Sequence, residues 1–302
     1  MNSYTQRLSN KSLAIFLFHG VIERSSYRVR NYTKKHIKKD GFVRLMNELC
    51  EAGQPMTMDA VVEHHRAGKP FPPGAFVISF DDGFENNFSV AAPVLDELHM
   101  PAIFYVTTDF VDRNTMSWID QIEYCLEFAL DGSLRLPWDS SVRSFSTAEE
   151  RIGVLEDIRA HVKRDERIDQ VAFVKDIFSQ CSVPQITSSD DPLDRKMNWA
   201  QVRQLSENPL FTVGGHSHRH AILSFLSSQQ LEEEVSTSCD FLKQRAGIMP
   251  MHYSYPEGME HCYTDKVITV LKQHGVICCP SAEDGVNNQS TDLFHLKRIF
   301  VV

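Results

Sequence analysis

Two adjacent carboxylates, Asp81 and Asp82, follow an apolar run and precede Gly83. Neighbouring carboxylates repel each other, so their joint presence requires a cation, a shared proton or free solvation. Gly83 permits a sharp backbone turn that would let both side chains point at one place. Because Asp and Gly also dominate surface turns, the tripeptide taken alone is more typical of an exposed turn.

Three histidines fall within five residues, at positions His216, His218 and His220, directly after an apolar segment that ends in two glycines. His216 and His220 would share a face on a helical turn and could hold one metal ion, whereas His216 and His218 would share a face on a strand. Neutral imidazoles together with one carboxylate make a facial triad, which leaves coordination positions open for water and substrate. A basic surface cluster is the alternative interpretation.

The elements that would position these side chains alternate between strand and helix. Apolar runs at Ala14–Phe18, Ala75–Phe80, Ala102–Val106 and 211–213 are typical of buried strands. This alternation predicts a parallel α/β fold, in which chemistry is located at the C-terminal ends of the strands. Helices are predicted over 42–49 before Gly53, from Thr57 to before Gly68, over 90–98, from a Ser227/Gln230 capping box onward, and over 267–271; short strands are predicted at 253–255 and 276–279.

The stretch 111–197 breaks this rhythm, and its helical spacing and polar loops predict a mostly helical insertion. Trp118 and Asp120 follow a predicted strand and could form a wall of a sugar pocket. Burial of Trp118 in the insertion's own core is equally consistent with the sequence, because tryptophan is usually largely buried.

Two segments resemble motifs of one family. Ser79-Phe80-Asp81-Asp82-Gly83 resembles the Thr-Phe-Asp-Asp-Gly motif of the polysaccharide deacetylase family, also called NodB-homology or carbohydrate esterase family four. The segment 216–220 matches the family's His-Ser/Thr-x-x-His motif. The resemblance covers roughly 13–110 and 198–302. It implies one catalytic domain over 1–302, folded as a distorted (β/α) barrel that contains the insertion, and one divalent ion, zinc first, with cobalt, nickel or iron as alternatives.

By this resemblance, Asp81 is the general base, and Asp82, His216 and His220 are the metal ligands. The family's third motif, Arg-Pro-Pro-Tyr/Phe-Gly, matches 254–258 only in its second proline and its glycine. Ser254 replaces the arginine and Glu257 replaces the aromatic residue. We expect a backbone N–H near Glu257 to face the oxyanion. The predicted substrate and oxyanion residues are Tyr255, Glu257, Trp118 and Arg298, the last as a substitute for the arginine that would orient Asp81.

The C-terminal Leu-x-Ile-His motif that supplies the catalytic acid in this family is missing, although His295 lies near the end. Leu17-Phe18-His19 has a similar pattern near the N-terminus, so the chain resembles the circularly permuted members. We therefore predict His19 as the acid, with His295 as its rival. A core histidine bonded to a backbone carbonyl is the alternative interpretation of His19.

The predicted function is removal of an N-acyl group, chiefly acetyl, from an amino sugar in a glycan or a carrier-linked saccharide. One alternative is a deformylase or an amidase acting on another C–N bond. The other is a metal-dependent carbohydrate-binding protein that has lost catalysis, which the retained Asp81 argues against. Release of acetate or formate would separate these hypotheses.

The amino-acid composition limits the classes of partner that the protein could bind. A net charge of −9, from 31 basic and 40 acidic residues among 302, argues against nucleic acid. The basic run 34–39 is interpreted as a solvated helix face, or as a contact with an anionic substrate such as a sugar-phosphate carrier.

The seven cysteines are scattered along the sequence and do not form a disulfide framework. No run resembles a signal peptide or a membrane span, so we predict a cytoplasmic protein. The sequence does not indicate an oligomeric state.

Overall fold

A computed structural model describes residues 4–24 and 26–302. Its central sheet is parallel, in the order β10 (Ile299–Phe300), β1 (Ala14–Phe18), β5 (Ala75–Phe80), β6 (Ala102–Val106) and β9 (Phe211–Gly215), with β4 (Gln54–Pro55) also paired to β5. β1, β5 and β6 have the bounds predicted from the apolar runs. All of their residues are buried, as expected for parallel strands that are covered on both faces.

Beyond β9 the parallel arrangement continues through single backbone bridges. Gly215 is bridged to Tyr253, and His252 is bridged to Cys278. The N–H of Cys279 then donates to the carbonyl of Leu293 at 2.9 Å, in the segment that leads into β10 beside β1. The hydrogen bonds therefore run round the whole sheet, and the predicted distorted (β/α) barrel is confirmed. The strands expected at 253–255 and 276–279 are reduced to isolated bridges.

The helices are amphipathic segments packed around this sheet. In α1 (Lys39–Ala52), Phe42, Leu45 and Leu49 are buried on one face. The side chain of Thr57 accepts the N–H of Ala60 to begin α2 (Met58–Arg66), and the predicted capping box begins α9 (Ser228–Phe241). The helices that alternate with the strands are α1 (Lys39–Ala52), α2 (Met58–Arg66), α3 (Ala92–Glu97), α4 (Thr108–Arg113), α8 (Trp199–Glu207), α9 (Ser228–Phe241) and α10 (Asp265–Gln273). A small parallel pair, β2 (Gly20–Ile22) and β3 (His36–Lys38), precedes α1.

The segment between α4 and α8 folds around an apolar cluster of its own, which includes Ile122, Leu155 and Ile177. It contains α5 (Trp118–Phe128), the antiparallel hairpin β7 (Gly132–Arg135) and β8 (Val142–Phe145), α6 (Ala148–Val162) and α7 (Gln170–Cys181). The hairpin was not predicted, because only Leu134 and Phe145 in it are buried. That this segment is an insertion in a single catalytic domain stays a prediction.

Side chains of successive strand residues alternate between two apolar clusters. Phe18, Phe80 and Phe104 stack on one face of the sheet, with ring centroids 5.3 Å and 5.0 Å apart. Ile103 and Tyr105 belong to the cluster on the other face. This packing fixes the register of the strands, and so the positions of the residues that follow them. Within the described part of the chain, no helix is long and apolar enough to cross a membrane.

Candidate active site

The residues that follow β1, β5 and β9 meet at one rim of the barrel, because parallel strands end on the same side. They line a cavity of about 330 Å³. Each site residue predicted from the sequence borders this cavity: His19, Asp81, Asp82, Trp118, His216, His220, Tyr255, Glu257 and Arg298. The rival acid, His295, does not. It is exposed, and its Nδ1 lies 3.1 Å from Asp292 Oδ1.

Asp82, His216 and His220 form a compact set of ligand atoms, all within 4.8 Å of one another. Oδ1 of Asp82 lies 3.5 Å from Nε2 of His216 and 3.3 Å from Nε2 of His220. This oxygen is buried and has no hydrogen-bond partner among the described residues. Such an atom needs compensation, and one carboxylate oxygen with two imidazole nitrogens suits a divalent ion.

The tautomer of His216 is set by Ser254. Nδ1 of His216 lies 2.9 Å from the Ser254 carbonyl oxygen and 2.7 Å from its Oγ, so Nδ1 carries the proton and donates it. Nε2 therefore presents its lone pair toward Asp82 and His220, as a metal-binding histidine requires.

His218 is turned away from this set. The segment 216–220 is a loop, in which Oγ of Ser217 accepts the N–H of His220 at 2.8 Å. This turn brings the His216 and His220 rings to 4.9 Å between centroids. Nδ1 of His218 lies instead 2.9 Å from Oγ1 of Thr108. The structure therefore joins His216 with His220 and not with His218.

Several residues of the site have a left-handed backbone, which is uncommon outside glycine. In the described chain, Asp82, Ser217, His220 and Glu257 have φ values of 73°, 63°, 61° and 60°. Each residue held in such a conformation reduces the stability of the folded state by of order 1–3 kcal/mol, and such residues cluster at functional sites.

Asp81 is held by Arg298. Nη1 and Nη2 of Arg298 donate to Oδ1 and Oδ2 of Asp81, each at 2.8 Å, and Nε donates to the Ser281 carbonyl. Ser254 Oγ adds a donor at 3.3 Å from Oδ1 of Asp81. Burial by itself would raise the pKa of Asp81, but the charge of Arg298 and then that of His216 lower it below its ordinary value. Asp81 is therefore an ionised carboxylate in a fixed orientation.

The ring of His19 makes no hydrogen bond among the described residues, and its Nδ1 is buried. Its backbone carbonyl accepts a hydrogen bond from the side chain of Asn87 at 2.7 Å, and its ring contacts Phe300 edge-on at 5.3 Å. Burial lowers the pKa of His19 to about 4, although the charges of Asp82 and Asp81 oppose this shift. The ring is neutral at neutral pH and faces the cavity.

The loop at 254–258, which corresponds to the family's third motif, forms another wall of the cavity. The hydroxyl of Tyr255 donates to the Phe294 carbonyl at 3.1 Å, so its ring, and not its hydroxyl, is left for the cavity. Glu257 forms an ion pair with Lys163. Its backbone N–H donates to no carbonyl or side chain in the described structure. Trp118, half-buried at the start of α5, lies at the cavity edge.

Sequence reasoning missed Lys35, whose Nζ lies 3.1 Å from Oδ2 of Asp82 and 3.3 Å from Oδ1 of Asp120. The interpretation of the run 34–39 as a solvated helix face is wrong. α1 begins only at Lys39, and the side chain of Lys35 is turned into the cavity. Lysines in a lysine-rich run look solvated, so only the tertiary fold identifies this contact.

Lys196 was also missed. Its ammonium group is buried over the ring of Phe84, 3.3 Å from the centroid, and lies 4.0 Å from Oδ2 of Asp120. Asp120 thereby links two lysines next to the metal-ligand set. A single lysine in a polar loop gives no sequence signal for such a position.

A parallel barrel that presents two aspartates and two histidines at its strand ends is the arrangement of a hydrolase with a candidate metal centre. The family model for polysaccharide deacetylase matches residues 68–278, and the chain belongs to this family. The family was predicted from the two motifs, and the match confirms that prediction.

Some known proteins are similar to the chain in sequence, and others are similar to it in fold. It is 36% identical over 59 residues to the poly-beta-1,6-N-acetyl-D-glucosamine N-deacetylase of Escherichia coli (strain K12), a match that spans 20% of this chain and only 9% of that protein. IcaB from Ammonifex degensii superposes with a TM-score of 0.63 at 16% identity, over 98% of this chain and 94% of that chain. The Streptococcus pyogenes deacetylase PplD, solved in complex with acetate, gives 0.61 at 13% identity, over 97% and 94%. At these identities the structural likeness shows the fold alone.

Proposed function

We propose that this protein removes acetyl groups from N-acetylglucosamine residues of a polysaccharide, using a divalent ion bound by Asp82, His216 and His220. The observation that carries the proposal is the ionised Asp81, clamped by Arg298 beside that ligand set. A protein that only bound metal would have no need of a second oriented carboxylate. The arrangement instead fits a site that must take a proton from water.

Bound to the three ligands, the ion would polarise the acyl carbonyl and lower the pKa of water. The protein's own residues would supply the rest. Asp81 accepts the proton of the attacking water, and Arg298 keeps that carboxylate ionised and aimed. The unpartnered N–H of Glu257 donates to the developing oxyanion, a contribution of roughly 3–4 kcal/mol for a well-placed donor.

The leaving amine must gain a proton, because an amine anion is too basic to depart. His19 borders the cavity, its Nδ1 is buried without a hydrogen-bond partner among the described residues, and it is our candidate donor. Since burial keeps the ring neutral at neutral pH, His19 must first gain a proton, and the charges of Asp82 and Asp81 favour that step.

The substrate class follows from the curated relative, which acts on poly-beta-1,6-N-acetyl-D-glucosamine. We propose a β-1,6-linked N-acetylglucosamine polymer as the first substrate to test. The half-buried Trp118 at the cavity edge offers an aromatic face on which a sugar ring could stack.

The experiment is acetate release by protein loaded separately with zinc, cobalt and nickel. The substrates are β-1,6-linked and β-1,4-linked N-acetylglucosamine oligomers, the free sugar, a carrier-linked sugar and an N-formyl analogue. We expect acetate from the β-1,6 oligomers, and a loss of at least about 100-fold in Asp81→Asn. Formate without acetate would indicate a deformylase. Metal-loaded protein that releases neither acid from any of these would leave the carbohydrate-binding alternative.

A further inference from the structure

The loop that contains Glu257 has a strained backbone. The N–H of Gly258 donates to the carbonyl of Pro256 at 2.7 Å, and Glu257 between them has a φ of 60°. A hydrogen bond two residues back across a residue with positive φ defines the γ-turn of the rare, strained kind. The backbone N–H of Glu257 therefore has its direction only while this turn is held.

One side of the loop is held by the segment 280–283. The carbonyl of Gly258 accepts the N–H of Ala282 at 2.7 Å, and the N–H of Glu260 donates to Oε1 of Glu283 at 2.7 Å. Gly258 has a φ of 65°, and a Cβ there would lie 2.6 Å from the nitrogen of Ala282. The approach is so close that the loop cannot be displaced toward that segment.

The other side is held by Lys163, which directly follows α6. Its ammonium group pairs with the carboxylate of Glu257, and its carbonyl oxygen lies 3.0 Å from Nε2 of His261. The pair is largely shielded from water, with side-chain exposures of 28% and 13%. Lys163 thus contacts the loop at two points, Glu257 and His261. It belongs to the segment that was predicted to be an insertion.

We propose that Lys163 is a positioning residue that holds the strained turn at Glu257, so that the Glu257 N–H points into the cavity. The proposal rests on the deacetylase function proposed above. The side chain of Glu257 then serves as an anchor for its own backbone and does not contact substrate. The sequence shows the matching exchange, because glutamate stands where the family motif has an aromatic residue, and a glutamate needs a cationic partner when buried.

The ion pair also explains why the loop needs the α6 segment. Burial by itself would raise the pKa of Glu257, but the charge of Lys163 lowers it to about 2, so the carboxylate stays ionised. Without Lys163 a buried carboxylate would lack its direct partner, and the turn would relax toward water. The charge of Arg159, one turn earlier in α6, also lowers the pKa of Glu257, but its guanidinium group is hydrogen-bonded to Glu123 at 2.6 Å and not to Glu257.

The test compares Lys163→Met with Arg164→Met. Arg164 is the adjacent, exposed residue, so its substitution removes the same charge without touching the loop. Deuterium exchange of the backbone amides of 255–262 should accelerate at least about tenfold in Lys163→Met and should not change in Arg164→Met. This measurement does not need activity, so it stands even if the substrate proposal fails.

Activity supplies the second measurement. On a substrate that the wild-type protein deacetylates, kcat should fall about 10- to 100-fold in Lys163→Met with little change in KM, since a weakened oxyanion donor acts in the transition state. Glu257→Gln should fall similarly, and the exchanged pair Lys163→Glu with Glu257→Lys should recover part of the loss. A change in KM alone, or amide exchange that stays at the wild-type rate in Lys163→Met, would overturn the proposal.

Discussion

Arg298 and Asp81 lie 217 positions apart in the sequence, and their side chains form two parallel hydrogen bonds of 2.8 Å. The guanidinium group is fully buried, with a side-chain exposure of 0%. It reaches the cavity from the residue just before β10, whereas Asp81 directly follows β5. The bidentate geometry fixes both the charge and the plane of the carboxylate.

Removal of Arg298 should therefore harm both stability and activity. Arg298→Met leaves Asp81 buried without its cationic partner, which typically costs about 3–5 kcal/mol in the free energy of unfolding. Denaturant unfolding of the metal-free protein measures this cost. The double variant Arg298→Met/Asp81→Asn should recover part of it. If the single variant were as stable as the wild-type protein, the pair would not contribute as described.

The proposed metal site predicts that two neighbouring histidine variants differ in the amount of metal they bind. His216→Ala should lose most of the bound ion, because Nε2 of His216 faces Asp82 at 3.5 Å. His218→Ala is the matched control and should keep the ion, since its ring contacts Thr108 and not the ligand set. Elemental analysis after dialysis against zinc, cobalt or nickel measures the difference. Equal metal content in the two variants would refute the assignment.

The same measurement of metal content, together with acetate release, should distinguish the roles of Asp81 and Asp82. Asp81→Asn should retain the ion while acetate release collapses, whereas Asp82→Asn should lose both. Only Asp82 has an unpartnered buried oxygen within 3.5 Å of both histidine nitrogens, among the residues described. Loss of metal from Asp81→Asn would show that the roles are shared or reversed.

His19 is predicted to act as an acid. His19→Ala should fold and bind metal but lose about 10²- to 10⁴-fold in turnover on an amide substrate. The loss should shrink on an activated aryl ester, whose leaving group needs no proton. His295→Ala is the control, because His295 lies outside the cavity and should have wild-type activity. Equal losses on the amide and the ester would remove the acid role from His19.

Lys196 makes stability depend on pH. Burial, opposed by Asp120, lowers the pKa of Lys196 to about 8 from 10.5. Below pH 8 both the folded and the unfolded chain carry this charge, and the folded state bears the full burial cost. As the pH rises from 8 to 10.5, the folded state loses its proton first, so stability increases, by up to roughly 3 kcal/mol.

Unfolding of wild type and Lys196→Met at pH 7.5 and pH 10 isolates this contribution, since methionine has a similar length without the charge. The stability gain on raising the pH should be smaller in the variant. The same pH dependence in both proteins would show that Lys196 has an ordinary pKa.

The sequence predicted the parts of the fold that depend on local pattern. Three central strands, Ala14–Phe18, Ala75–Phe80 and Ala102–Val106, have the expected bounds because each is a continuous apolar run between breaking residues. The segments 253–255 and 276–279 have a similar composition but form single bridges, since closure of a distorted barrel depends on distant chain geometry that no local pattern encodes.

The active site likewise contains residues that local sequence motifs predict and residues that only the tertiary fold identifies. Asp81, Asp82, His216 and His220 stand in motifs, so their spacing was informative. Arg298 was a candidate only because a motif arginine was missing. Lys35 and Lys163 could not be found in this way, because an isolated lysine beside other charged residues is typical of solvated surface, and only the fold brings them to the cavity.

The left-handed residues Asp82, Ser217, His220 and Glu257 have a consequence for protein engineering. Glycine at Asp82 or His220 would relieve backbone strain in the metal-free protein while deleting a side chain of the candidate metal site. A laboratory evolution screen that scores heat resistance alone would therefore accept such exchanges and discard catalysis. For this protein, a higher melting temperature is no assurance of a working enzyme, and any such screen must be coupled to acetate release.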